Sequence, residues 1–309
     1  MKRYLFKILR MGLCLVMPFV LFFAYIHTLP SYGDKSIGAT IRYKIDLIEQ
    51  TEGERVILVG GSSSPYGTIC TDIEKELERP CINIGATAYL GLEYYINILE
   101  KYSKPGDIIV IAPEHMLLMG ESIDYTTMWI SVGSDIDAIK CVPYSYYSGM
   151  FSSFYDYSKL RYDNRNKEEN NGIHDHFGPK GDVVIGRESL LASGYNTQDI
   201  ITFSSEKIFY DNLDLINRFY KKAEEQNIKV FFAYAPVDKL AIASSKESNM
   251  QFEHAVSEYV NTPVILDFET AVMEAEYFYD TNNHLTSEGA KIYTANLIEG
   301  LKKNLNKAN

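Results

Sequence analysis

Five short aliphatic runs, separated by longer stretches, limit the folds open to this 309-residue chain more than any other feature. The runs occupy residues 55–60, 81–85, 107–112, 229–235 and 263–267. The stretches between them are long enough for crossover helices, and residues 209–223 carry apolar side chains three or four positions apart, as one face of a helix requires. This alternation predicts an α/β domain with a central five-stranded parallel sheet.

A small-residue turn carrying a hydroxyl follows the first predicted strand, where Val-Ile-Leu-Val leads into Gly60, Gly61 and Ser62. Ligand chemistry in parallel sheets concentrates at the carboxyl ends of the strands, and glycine lets the backbone turn sharply. Ser62 is therefore a candidate nucleophile. An ordinary turn or a phosphate-binding loop would fit the same segment, although the lysine of a Walker motif is missing. Ser63 and Ser64 are competing nucleophiles on the same loop.

A polar loop near the C-terminus contains an acid and an imidazole, Asp280 and His284. Thr286 or Ser287 can cap the amphipathic helix that follows. Taken alone, the loop also fits a solvated turn whose histidine packs locally. Together with Ser62, it supplies the three groups of serine catalysis: a nucleophile, a base, and an acid that fixes the tautomer of the base.

With these segments the chain resembles the SGNH or GDSL hydrolase superfamily. The first block of that superfamily is an aliphatic strand ending in Gly-Asp-Ser, and its last block is Asp-x-x-His before the final helix. The strand, asparagine and glycine of the second block are matched around Asn83 and Gly85. The resemblance covers residues 55–115 and 228–305, and it implies a flavodoxin-like three-layer fold of the SGNH hydrolase type.

The resemblance also implies a role for each residue of the site. His284 would take the proton of Ser62, Asp280 would orient the imidazole and stabilise the imidazolium, and the backbone N–H groups of Ser62 and Gly85 would bind the oxyanion. The residues expected to line the site beside them are Gly61, Asn83 and Glu114.

Two departures from the family pattern concern the chemistry. Three residues rather than two separate Asp280 from His284. The third block, Asp107 to His115, ends in Pro-Glu114 where the family usually has an oxyanion-binding asparagine. A carboxylate cannot donate a hydrogen bond, so the role of that asparagine is not carried over to Glu114. Pro-Glu at this point resembles a membrane-anchored branch of the superfamily associated with modification of cell-surface polymers.

The N-terminal segment has the composition of a membrane anchor. Residues 2–10 contain four cations, and the uncharged span that follows reaches residue 33, with residues 11–29 mainly apolar. A helix of that length reaches about 30 Å, enough to cross the hydrocarbon core of a bilayer. The cations predict a cytoplasmic N-terminus, with an extracytoplasmic domain over residues 34–309. Because no clear Ala-x-Ala cleavage site appears near the end of the span, an uncleaved signal anchor is favoured over a removed signal peptide.

The charge balance narrows the range of partners. The formal net charge is −11, and subtracting the four N-terminal cations leaves about −15 on the exported part. Such an acidic body discourages binding of nucleic acid and attraction to anionic lipid. We expect neither a cofactor nor a metal, since no phosphate-binding motif is complete and no third ligand accompanies His174 and His176.

A tyrosine-rich insertion occupies about residues 115–205, between the third and fourth predicted strands. Insertions at this edge of a sheet commonly shape the substrate site. Its tyrosines, between Tyr144 and Tyr162, could stack on sugar rings, although packing of tyrosine-rich helices on a core is the commoner explanation.

Three functions fit these features. The leading one is a membrane-anchored, extracytoplasmic SGNH-like serine esterase or O-acyltransferase that acts on acyl groups, above all acetyl, of a cell-surface polysaccharide. The second is a non-catalytic glycan-binding or scaffold subunit of a polysaccharide-modifying complex, which Glu114 and the altered Asp–His spacing favour. The third is a lipase or lysophospholipase. The resemblance further implies a membrane-bound O-acyltransferase as a partner, because membrane-anchored relatives often work beside one.

Overall fold

A computed structural model describes residues 2–29, 40–120, 122–133, 135–166, 176–191 and 200–306. These residues form an α/β architecture around an all-parallel sheet. The predicted boundary between anchor and exported domain, after residue 33, lies outside the described residues.

The strands confirm the predicted sheet. They are β1 (Val56–Gly60), β2 (Cys81–Asn83), β3 (Ile108–Ala112), β4 (Lys229–Ala233), β5 (Val237–Asp238), β6 (Val264–Leu266) and β7 (Val272–Met273). The central sheet has the order β2-β1-β3-β4-β6 with every pair parallel, and β5 and β7 form a separate two-stranded sheet. The five predicted runs are its five strands, although β2 and β4 end two residues earlier than predicted.

Helices cover the sheet and explain why its strands are apolar on both faces. They are α1 (Lys2–Thr28), α2 (Thr40–Gln50), α3 (Ser63–Gly67), α4 (Cys70–Leu77), α5 (Leu92–Tyr102), α6 (His115–Met119), α7 (Tyr125–Val132), α8 (Ile136–Lys140), α9 (Tyr147–Asn164), α10 (Tyr210–Glu225), α11 (Lys246–Tyr259), α12 (Phe268–Ala271) and α13 (Ser287–Leu305). The chain passes from β1 to β2 in one direction and from β2 to β3 in the other. Right-handed crossovers therefore place α4 and α5 on opposite faces, where α13 packs against α4 and α10 against α5.

The insertion contributes α6 to α9 and also covers one edge of the sheet. A turn at residues 178–182 approaches the edge strand β2, and the Asn83 N–H donates to the Lys180 carbonyl at 2.8 Å. Gly181 in this turn has φ +83°, and a Cβ there would lie 2.2 Å from the Asn83 carbonyl oxygen. Only glycine fits a backbone approach this close.

A fully buried ion pair joins the amino ends of β1 and β3. Arg55 Nη2 lies 2.5 Å from Asp107 Oδ2, and Arg55 Nε donates to Asp107 Oδ1 at 3.1 Å. The guanidinium also donates to the carbonyls of Ile48 and Tyr102, so it connects α2 and α5 with the sheet. Since every charged atom has a partner, the pair can remain in the interior.

The N-terminal helix α1 stands apart from the sheet. Its segment Arg3–Thr28 is long and apolar enough to cross a membrane, and its most apolar stretch is not covered by the rest of the chain. Ile26, near its end, is the residue of α1 that is buried in the chain's interior. The coarse prediction of one N-terminal helix suited to a membrane is therefore confirmed.

Candidate functional site

A cleft of about 660 Å³ opens at the carboxyl edge of the central sheet. Ser62, at the end of β1, and His284, in the loop before α13, both line it. Its other walls are formed by Thr87, Ala88, Tyr89, Glu114, His115, Met116, Met119, Ile200, Ile201, Thr202, Lys207, Thr281, Asn282 and Asn283. The fold thus brings together side chains that the sequence separates by more than two hundred residues.

Two glycines allow the serine to sit where it does. A Cβ at Gly60 would lie 2.3 Å from the Ala112 carbonyl oxygen, and one at Gly61 would lie 2.3 Å from Glu114 Oε1. A larger residue at position 60 would therefore push β1 away from the end of β3, and one at position 61 would displace the Glu114 carboxylate. Ser62 follows directly as the N-cap residue of α3, so the chain turns at the point where the sequence predicted it.

Glu114 occupies the position facing the serine. Its side chain is buried, and Oε1 accepts hydrogen bonds from the Ser62 hydroxyl at 3.1 Å and from the Ser63 N–H at 2.6 Å. Among the described residues, no hydrogen bond joins Ser62 to His284. The carboxylate of Glu114 thus holds the serine hydroxyl.

The acid and imidazole of the C-terminal loop are hydrogen-bonded to each other. His284 Nδ1 lies 2.8 Å from Asp280 Oδ1. The loop is closed by the Tyr279 N–H, which donates to the His284 carbonyl at 2.8 Å, and of the two predicted caps, Thr286 and Ser287, it is Thr286 that caps α13. With Nδ1–H donated to the carboxylate, the other ring nitrogen, Nε2, keeps its lone pair for a proton.

Two residues that sequence reasoning missed hold the imidazole in its plane. The Tyr66 ring stacks on His284 with centroids 4.1 Å apart and an interplanar angle of 8°. Burial, with a contribution from Asp280, raises the pKa of Tyr66 to about 12, so the phenol stays neutral. Arg187 donates to the carbonyls of Leu285 and Tyr66. Tyr66 lies four residues after Ser62, but nothing in the sequence pairs it with His284.

The end of β2 and the loop that follows it lie beneath the cleft rather than in its wall. Asn83 is fully buried, and neither it nor Gly85 lines the cleft. The Gly85 N–H, the predicted oxyanion donor, donates to Asn83 Oδ1 at 2.9 Å. The Asn83 amide in turn donates to Thr68 at 2.8 Å. In this arrangement Asn83 orders the loop after β2, and the Gly85 N–H is engaged within the chain.

A buried lysine holds the same loop from the other side. Lys44 Nζ donates to the carbonyl of Gly85 and, at 2.8 Å, to that of Gly181, and it lies 4.6 Å from the centre of the Phe177 ring. Complete burial lowers the pKa of Lys44 from 10.5 to about 7, partly offset by Cys70 and Asp182. A neutral amine can still donate both hydrogen bonds.

Lys44 makes the stability of the fold depend on pH. Between pH 7 and 10.5 the unfolded chain holds a proton that the folded chain has released, so the free energy of unfolding gains a component that rises with pH. This component is full above pH 10.5 and is lost as the pH falls to about 7.

Lys44→Met keeps an apolar stem but has no proton to release. We expect denaturant titrations to show a difference between wild type and variant that grows from pH 7 to pH 10; parallel pH profiles would contradict this.

Neither metal ligands nor relatives identify the site further. Within the described ranges, no group of three or more His, Cys, Asp or Glu side chains could hold a metal ion, and His174 lies outside those ranges. Comparison with protein-family models and with curated proteins gave no match to this sequence.

Proposed function

We propose that this chain is a membrane-anchored serine esterase or O-acyltransferase of the SGNH type, acting on acyl groups of a cell-surface polysaccharide, with acetyl as the expected acyl group. One observation carries the proposal: Ser62 and an Asp280-bound His284 line the same cleft at the carboxyl edge of a parallel sheet. The strand order supports it, because β2-β1-β3-β4-β6 is the order of flavodoxin-like doubly wound folds.

The proposed reaction begins when the Ser62 hydroxyl turns from Glu114 to His284. Nε2 of His284 takes the proton as Ser62 Oγ attacks the acyl carbon, and Asp280 stabilises the imidazolium. The Ser62 N–H makes no hydrogen bond within the described part of the chain, so it is available to the oxyanion. The alcohol leaves with the proton from His284, and either water or a sugar hydroxyl then resolves the acyl-enzyme.

The cleft suits a carbohydrate ester in its mixture of side chains. Tyr89 is about half exposed and offers a ring face for a sugar. Lys207 and Asn283 supply hydrogen-bond donors. Apolar side chains, among them Met116 and Ile200, line the same space and can receive the acyl group.

The proposed location follows from α1. Four cations precede its apolar segment, which supports a cytoplasmic N-terminus and an extracytoplasmic sheet domain. A membrane-bound O-acyltransferase would then be a suitable partner, since it could supply acyl groups at the same surface. The acidic body does not suit nucleic acid.

A fluorophosphonate probe tests the proposal, because it phosphonylates a serine only when that serine is activated. We expect the detergent-solubilised full chain to be labelled at Ser62 and to release acetate from O-acetylated xylan fragments. Release of fatty acid from phospholipid instead would assign the chain to the lipases.

A non-catalytic glycan-binding subunit is the second candidate. The Ser62–Glu114 hydrogen bond favours it, because the serine proton is directed away from the base. Absence of labelling, together with binding of a polysaccharide, would select this candidate over the enzyme.

Glu114→Gln is expected to speed labelling of Ser62. The amide oxygen of glutamine can still accept from the Ser63 N–H, while the bond to the Ser62 hydroxyl loses its charge assistance, worth about 1 kcal/mol. The serine is then freer to reach His284, and the labelling rate should rise about fivefold. A hundredfold fall in rate would instead make Glu114 a contributor to the chemistry. Glu114→Ala, which leaves the Ser63 N–H without its acceptor, is the structural comparison.

A further inference from the structure

One face of α9 is aromatic and open to solvent. This aromatic face consists of Tyr144, in the helical turn just before α9, and of Tyr147, Phe151 and Tyr155. Steps of three and four residues place the four rings in one stripe along the helix. Phe151 is 86% exposed and Tyr155 71% exposed. Rings this open, clustered on one helix, mark an interaction surface.

The remaining surface of α9 is divided between water and the core. Ser148, Ser152 and Asp156 form an exposed polar face beside the aromatic one, while Met150 and Tyr157 are buried.

The direction of α9 relative to α1 places the aromatic face. The contacts between the two helices pair Phe23 with Phe154 (ring centres 5.2 Å apart), His27 with Tyr157 (6.3 Å) and the Leu29 carbonyl with Arg161. These contacts advance in the same direction along both helices, so α1 and α9 run parallel. The turns of α9 before Phe154, which carry three of the four rings of the aromatic face, therefore point toward the apolar part of α1.

We infer that the aromatic face of α9 inserts into the interfacial region of the outer leaflet of the bilayer, beside α1. The inference rests on the proposed anchoring through α1. Aromatic side chains favour this region, where their rings meet the acyl chains and their hydroxyls meet water. Because the body of the protein is acidic, zwitterionic lipid is the fitting occupant.

This docking fixes the cleft close to the membrane surface. The Tyr89 carbonyl, at the rim of the cleft, accepts a hydrogen bond from the Asp124 N–H at 3.0 Å, and Asp124 caps α7. Trp129, five residues later in α7, contacts Phe23 of α1 with ring centres 6.2 Å apart. A single short helix of about 12 Å thus separates the rim from the anchor. Substrates carried by lipid or by a membrane protein are within reach.

Fluorescence quenching tests the inference, because Trp129 is the chain's one tryptophan. In a Trp129→Phe background, the full chain carries either Phe151→Trp or, as the matched control two turns farther from the apolar part of α1, Lys159→Trp at an exposed position of α9. Each is reconstituted into phosphatidylcholine vesicles with and without brominated acyl chains. We expect bromine to quench the tryptophan at position 151 several times more strongly than the one at position 159.

Equal, weak quenching at both positions in chains that float with the vesicles would overturn the inference while leaving the anchor intact. Chains that do not float would overturn the anchoring and the inference together, and a failure to label Ser62 concerns the proposed enzyme alone. Should Trp129→Phe disturb the fold, hydroxyl-radical footprinting of the wild-type chain in nanodiscs replaces it. Phe151 and Tyr155 should then be protected relative to the exposed Tyr259. Protection by soluble polysaccharide and not by lipid would contradict the inference.

Discussion

Ser62→Ala is expected to abolish fluorophosphonate labelling and ester hydrolysis by the full-length chain, lowering the rate by about 10⁴-fold or more. The hydroxyl of Ser62 is the one that lines the cleft with His284. Ser63→Ala is the matched control on the same turn. The Ser63 hydroxyl is buried and has no hydrogen-bond partner among the residues that the structure describes, while its N–H still reaches Glu114. Removing that hydroxyl should leave labelling close to the wild-type rate.

His284→Ala should lower the same rate by roughly 10²- to 10⁴-fold, because it removes the general base. Rates are measured from the time course of labelling and of acetate release, with circular dichroism to verify the fold of each variant. Labelling that survives Ser62→Ala and disappears with Ser63→Ala would move the nucleophile. Full labelling in His284→Ala would remove the imidazole from the mechanism.

Arg55→Ala is expected to lower the free energy of unfolding by about 3–5 kcal/mol, because it leaves Asp107 as an unpaired charge in the interior. The Asp107 carboxylate accepts from the Arg55 guanidinium and from two backbone N–H groups, those of residues 55 and 104, and only the two backbone contacts survive the substitution. Chemical unfolding in detergent, followed by circular dichroism, measures the loss.

Arg79→Ala is the matched control for Arg55→Ala. Arg79 forms an ion pair with Glu54 at 2.8 Å at the same end of the sheet, but both side chains are partly exposed to water. An exposed pair contributes about 0–1 kcal/mol, so the variant should remain close to wild type. Equal losses in the two variants would mean that burial does not decide the contribution of the Arg55–Asp107 pair.

The central sheet could be predicted because its strands are apolar on both faces. Runs such as Ile108–Ala112 have no other stable place than between two helical layers, and glycines or prolines mark their ends. The cap at Thr286 was readable for a similar local reason, since a hydroxyl before an amphipathic stretch accepts from the free N–H groups of the helix. Local patterns therefore determined both the fold class and the helix start.

The contacts inside the site could not be predicted in the same way. Whether the Ser62 hydroxyl meets Glu114 or His284 depends on side-chain rotation where β1 and β3 end, and no spacing in the sequence encodes it. The Gly85 N–H meets Asn83 because the loop after β2 turns back on itself. The stacking of Tyr66 on His284 joins α3 to the distant loop before α13. These features come from packing between segments.

The packing of α9 against α1 is a further contact between segments that are far apart in the sequence. The tyrosines of residues 144–162 suggested either sugar stacking or core packing, and α9 divides them between a buried face and an open one. The position of α1 beside α9 could not be predicted, because the contacts between the two helices join residues more than one hundred positions apart.

The turn that approaches β2 has a consequence for how this protein behaves in a crowded environment. The exposed edge of a β-sheet can pair with a strand from another molecule, which is a first step toward aggregation. Here the Lys180 carbonyl already accepts a hydrogen bond from the backbone N–H of Asn83, and Gly181 allows the two backbones to come this close. That edge is short and covered, which limits association between copies of the chain through their sheets.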